Sequence, residues 1–185
     1  MKEALNKMVK QWREERNALC KVLRGEEICD PYRKYLENSV YIVPPNTLLA
    51  YEYLDGINIP VQDQTVWIID KYEKGYFFGK TYTALNGEPK SDFNMSGSIT
   101  PSGEVYITFF SLKDSGTNIL VRGIGKFVRT KNSGYFLMQT NSAENSTSGL
   151  SHWSYMISVT LNDYWYQNLP ALNISVPEFI NSFST

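Results

Sequence analysis

The sequence predicts a mainly β protein: an eight-stranded antiparallel up-and-down barrel with an N-terminal helical extension. Three observations carry this prediction. Short runs of aromatic and β-branched residues follow one another from about Leu48 to Thr160. Tight turn sequences separate many of them, namely Glu73-Lys74-Gly75, Pro101-Ser102-Gly103 and Lys131-Asn132-Ser133-Gly134. Each turn carries the glycine that a short hairpin loop needs for positive φ. Within the runs, apolar residues recur at every second position, as in Val105, Ile107 and Phe109. Short loops pair sequential strands antiparallel, and a long meander that closes on itself encloses a cavity.

The elements follow in order. Residues 2–24 have helical spacing, with Leu5, Met8, Trp12, Leu19 and Val22 on one stripe. Glu15 interrupts that stripe and argues against a long coiled-coil seam, and Gly25 is a stop signal. Asp30-Pro31 reads as an N-cap and first helical position, opening a short helix through Tyr32, Tyr35 and Leu36. Pro44-Pro45 marks a boundary, so residues 1–44 form the helical extension and 45–185 the barrel domain.

Strands are expected near 48–54, 65–72, 76–85, 93–100, 103–111, 117–130, 134–141 and 151–160. Longer loops are expected at 55–64, 86–92, 112–116 and 142–150, the last small, polar and suited to a lid. Ile119, Val121, Gly123, Gly125 and Phe127 share one face, where two glycines would let a barrel bend or admit a bulky neighbour. Tyr76-Phe77-Phe78 is apolar on both faces, so the N-terminal helix is expected to cover the outer one. Val176-Pro177-Glu178-Phe179-Ile180 reads as a short helix closing one barrel end.

Composition narrows the function classes. At 185 residues the chain can bury a real core, with 42% hydrophobic and 20% charged residues. Tyrosines number 13 and suit half-wet cavities. A net charge of -1 lacks the basic balance that phosphate backbones demand, so no nucleic-acid partner is expected. The charged start Met1-Lys2-Glu3-Ala4 and the absence of a long apolar run predict neither signal peptide nor membrane span, hence a cytoplasmic protein. Cys20 and Cys29 then read as free thiols.

Phe78-Gly79-Lys80-Thr81-Tyr82 and Met95-Ser96-Gly97-Ser98-Ile99 resemble the strand starts of avidin-like barrels. With the meander around them, the strand region resembles the calycin superfamily of lipocalins, fatty-acid-binding proteins and avidins. The resemblance implies a barrel that holds a ligand inside. Two departures limit it. Trp67 follows Thr65-Val66 without the glycine of the lipocalin signature, and N-terminal helices are foreign to the avidin pattern. No biotin site and no ligand identity carry over.

Candidate chemistry is sparse. His152 is the lone histidine, which removes most metal sites, and no metal or cofactor is expected. A serine triad would run through His152 with Ser151 or Ser154, yet no Gly-x-Ser-x-Gly elbow supports it. The simpler reading of His152 is a strand-edge histidine bonded to backbone or water. Gly123-Ile124-Gly125 lacks the third glycine and the strand–helix setting of a phosphate loop. Arg122 alternates outward with Lys126. Glu52 and Asp70 are the mid-strand carboxylates, with no sign in the sequence that they converge.

Trp67, Tyr82, Tyr106, Gln139, Asn141, His152, Trp153 and Tyr155 are therefore the ligand-binding candidates. The leading expectation is a protein that binds an apolar or aromatic small molecule in a barrel cavity of several hundred Å³ (roughly 300 and upward). The alternatives are an isomerase- or cyclase-like enzyme in the same cavity, or a protein-interaction module that acts through its N-terminal helix, by self-association or by binding a partner.

Overall fold

The computed structural model describes Lys10 and residues 31–111, 121–143 and 148–184. The chain divides into two compact units, Met1–Lys34 and Tyr35–Thr185. The Leu5–Val22 stripe, Cys20 and Cys29 all lie outside the described residues.

Among residues 31–184 that are described, a helical turn, α1 (Arg33–Leu36), precedes nine strands. These are β1 (Ser39–Ile42), β2 (Leu49–Leu54), β3 (Ile57–Glu73), β4 (Tyr76–Leu85), β5 (Glu88–Ile99), β6 (Glu104–Phe110), β7 (Val121–Arg129), β8 (Gly134–Ala143) and β9 (Ser148–Val159). Every paired neighbour is antiparallel. β1 and β2 both pair with β3 on one side and with β9 on the other, at different heights. They run in the same direction and share one strand position. The result is a closed antiparallel barrel of eight positions, in which the last strand returns to the first.

What splits that first position is Pro44-Pro45. Proline lacks the N–H a ladder needs, and a 3₁₀ turn, Pro45–Thr47, takes the place of the strand. Ladder bonding stops at Val43 N–H to the Thr65 carbonyl, 3.1 Å, and resumes with Asp63 N–H to the Leu48 carbonyl. The prolines therefore interrupt the barrel; β1 already belongs to it.

Two segments expected as longer loops are tight turns instead. Asp55-Gly56 and Asn86-Gly87 each place both residues at positive φ, between 48° and 88°. That is the two-residue hairpin geometry Asp-Gly and Asn-Gly favour. β3 consequently begins at Ile57 and β5 at Glu88. Lys74-Gly75 makes a third such turn.

Alternation sets one face inward. Tyr41, Phe77, Phe127 and Phe136 meet at the end carrying the β3–β4, β5–β6 and β7–β8 turns, and Trp67 and Phe109 lie between them and the cavity. Phe136 is the hub: its ring centroid lies 4.8 Å from those of Tyr41 and Phe127, and 5.3 Å from Trp67. The interplanar angles of 67–74° are edge-on, the arrangement aromatic quadrupoles prefer. Glycines make room: a Cβ at Gly97 would sit 2.2 Å from the Phe77 ring, and one at Gly125 would sit 2.7 Å from the Met138 sulfur. Burial pushes the Tyr41 hydroxyl well above its ordinary range, and it donates to the Tyr35 carbonyl at 2.7 Å.

The outer face of β1, β3, β4 and β9 is also covered. α2 (Tyr164–Gln167) and α3 (Val176–Asn181) follow the last strand. Ser175 and Glu178 cap α3 reciprocally, with Pro177 in its first turn. Val176, Phe179 and Leu169 bury against Ile42, Val66, Tyr82, Ala84 and Val159. The expected C-terminal helix thus exists, but it lies on the outer wall and closes no end. Gln64 ties the cover down: its amide donates to the Val43 carbonyl at 3.4 Å and accepts from Ala171 N–H at 3.0 Å. Tyr76 and Phe78, expected under a covering helix, are 60% and 43% exposed.

Candidate functional site

At the end opposite the ring cluster, the inner face changes character. β3 carries Val61, Asp63, Thr65 and Trp67 inward; β4 carries Thr81, Thr83 and Leu85. β5 brings Ser91 and Phe93, and β9 brings His152 and Met156. Hydroxyls and short polar groups do not fill the space that rings fill at the other end. A cavity of about 130 Å³ remains there.

His152 and Asp63 form its most constrained feature. Both side chains are only 4% exposed, and His152 Nδ1 lies 2.7 Å from Asp63 Oδ2. His152 Nε2 lies 2.8 Å from the Thr47 carbonyl. A carbonyl only accepts, so Nε2 carries a proton. Nδ1 faces a carboxylate, which accepts as well, and the ring is an imidazolium when both bonds are made. Burial works against that charge, but the Asp63 hydrogen bond, its negative charge and the Thr47 carbonyl outweigh it. The His152 pKa is raised above its ordinary 6.5.

Asp63 is satisfied at its second oxygen too. Thr65 Oγ1 donates to Asp63 Oδ1 at 2.6 Å and sits 2.9 Å from Thr83 Oγ1. The local cause is the proline break. A 3₁₀ turn presents the Thr47 carbonyl outside the ladder, and the facing strand supplies the carboxylate. A buried charge unpaired here would be costly; this one is paired on every side.

The arrangement limits the chemistry. A histidine acting as general base needs a free nitrogen toward the reacting proton. Here Nε2 is held by backbone, so the pair cannot take a nucleophile's proton without breaking its bond to Thr47. Ser151 lies on the outer face, where its hydroxyl donates to Asn141 Oδ1 at 2.8 Å. Among the described residues, no three His, Cys, Asp or Glu side chains assemble as a metal site.

Of the sequence candidates, the structure brings Trp67 and His152 together on the cavity wall. The other six stand elsewhere. Tyr82 is on the outer wall, its ring 5.4 Å from that of Phe183. Tyr106 and Trp153 are 53% and 64% exposed on the outer face, and Tyr155 is exposed beside them. Gln139 pairs across from Trp153, and Asn141 across from Ser151, on that same outer face. The inner residues of β8 and β9 are Phe136, Met138, Thr140, His152 and Met156. Sequence reasoning passed over Asp63, Thr65, Thr81 and Thr83. The signal for Asp63 was present: extending β3 back to Asp55-Gly56 puts Val61, Asp63, Thr65 and Trp67 on one alternating stripe.

Glu52 also reaches the cavity wall, from β2, whereas Asp70 is exposed outside. The two carboxylates do not converge. Gly123-Ile124-Gly125 is mid-strand in β7, with no helix after it. No helix of the described residues is long and apolar enough to cross a membrane. No known protein family, curated protein or solved structure matches the chain.

Proposed function

We propose that this protein binds one small molecule with an apolar or aromatic body inside the cavity end of a calycin-like barrel. The observation that carries the proposal is the cavity itself, walled by Trp67, Phe93 and Phe109 beside a locked His152–Asp63 pair. Pre-formed apolar walls with a few convergent polar groups are the usual makings of a ligand site. The closed up-and-down topology supports the calycin-like reading.

The size of the cavity suggests the scale of the ligand. At about 130 Å³ the cavity falls short of several hundred Å³. A dry cavity of roughly 150 Å³ accommodates benzene in another protein. The cavity is accordingly of single-ring scale.

Native mass spectrometry against the denatured mass tests the proposal. A co-purifying adduct lost on denaturation, and absent from the folded Ser91→Phe variant whose ring fills the cavity, is the expected result. Bare protein that also takes up none of a panel of single-ring compounds would overturn it.

A further inference from the structure

We propose that the cavity takes small organic cations, an ammonium on a short apolar or single-ring body, with Glu52 as the counter-ion. This rests on the reading of the barrel as a ligand-binding protein and adds the charge of the ligand. Among the described residues, the charged groups lining the cavity are Glu52, Asp63 and His152. Asp63 has one oxygen on His152 and the other on Thr65. The imidazolium has one nitrogen on Asp63 and the other on the Thr47 carbonyl. These two charges cancel, and their hydrogen-bonding capacity toward the cavity is largely spent.

Glu52 differs. It sits on the inner face of β2, across from Leu150 and Ile59, and is half-buried. Among the described residues it has no hydrogen bond and no ion pair. A carboxylate partly withdrawn from water and left without a partner lacks the compensation such groups ordinarily find. Among the described residues the charged groups of the wall sum to -1 with His152 protonated, and to a more negative value if His152 were neutral. Either state repels an anion and attracts a cation.

Thr81 is a second polar group on the wall. It is 4% exposed, lines the cavity, and its hydroxyl has no hydrogen-bond partner among the described residues. Its hydroxyl can donate to or accept from a polar group of the ligand. Trp67, Phe93 and Phe109 complete the fit, since ring faces attract a desolvated cation and pack against an apolar body. A carboxylate without a partner in a cavity with aromatic walls suits a small amine better than a neutral molecule of the same shape.

Calorimetric titration with benzylamine, benzyl alcohol and benzoate, three ring compounds of matched size and different charge, tests this. Benzylamine is expected to bind about tenfold tighter than benzyl alcohol, with benzoate weakest. Glu52→Gln is expected to erase the preference for benzylamine over benzyl alcohol. Glu52→Asp, which keeps the charge, retains the preference; circular dichroism melts establish that both variants fold. Equal affinity for amine and alcohol, or a preference for benzoate, overturns the cation inference and leaves the cavity reading standing. A preference that survives Glu52→Gln overturns the assignment of Glu52. Failure of all three probes on the wild-type chain overturns both readings.

Discussion

The two ends of this barrel are built on the same alternation and do opposite things with it. At one end the inward positions are Tyr41, Phe77, Phe127 and Phe136, and the rings pack around one hub. At the other the inward positions are Asp63, Thr65, Thr81, Thr83 and His152, and space remains. Both ends are held together, but by different means. Dispersion and apolar burial hold the ring end. Directional bonds hold the cavity end, where a charged pair is anchored to a turn that proline created. The contrast teaches that a barrel gains a site where polar residues replace large apolar ones on its inner stripe. The solid end provides the rigidity against which the open end is positioned.

The largest expected effect falls on the solid end. Phe136→Ala removes the shared ring and leaves a void that its neighbours cannot close. It is expected to cost about 3–5 kcal/mol in urea unfolding. A loss below about 1 kcal/mol would mean that the ring end is not the foundation of the barrel.

Asp63→Ala is expected to cost somewhat less, about 3 kcal/mol near neutral pH, because the stranded imidazole can shed its proton. The pH dependence has a definite sign. The folded pKa of His152 is raised, so the pair's stabilisation is fully present below about 6.5. It is lost as pH rises through the folded value. The stability gap between wild type and Asp63→Ala is therefore widest at mildly acidic pH and narrows in alkaline buffer. Chemical unfolding across that range measures it. A gap that does not change with pH would show that His152 is not an imidazolium in the folded protein.

Thr83→Val probes the same end more gently. It removes the hydroxyl that meets Thr65 and is expected to cost about 1 kcal/mol. If it costs nothing, the hydroxyl chain does not help hold Asp63. The smallest effect is expected outside the barrel. Trp153→Ala, at a largely exposed position, should change stability by less than about 0.5 kcal/mol and leave ligand affinity untouched. A clear loss of binding there would move the site to the outer face.

Much of the architecture was legible. The turns at Lys74-Gly75 and Ser102-Gly103 announced hairpins through their glycines, and Val105, Ile107 and Phe109 announced an inner stripe. β1 was not legible, because a short strand ahead of two prolines carries little periodicity. The starts of β3 and β5 were misplaced although Asp55-Gly56 and Asn86-Gly87 marked them. Reading those segments as loops hid Asp63. Trp153 and Tyr155 show a different limit. Alternation says that they share a face, but in β9 both faces carry large apolar residues. Which one turns inward depends on the neighbouring strands.

The sequence by itself determined the strand content, the hairpin order and the pairs of faces, because turn chemistry and period-two patterning are local properties of the chain. The tertiary structure decided which face is inside, since closure around Phe136 selects one stripe of each strand. It decided that the C-terminal segment covers the outer wall, where Ile42, Val66 and Val159 present a common apolar surface. It also decided the direction in which the His152 pKa moves, upward. That shift depends on a carboxylate from β3 and a carbonyl from the proline turn, brought to the same ring from positions far apart in the chain.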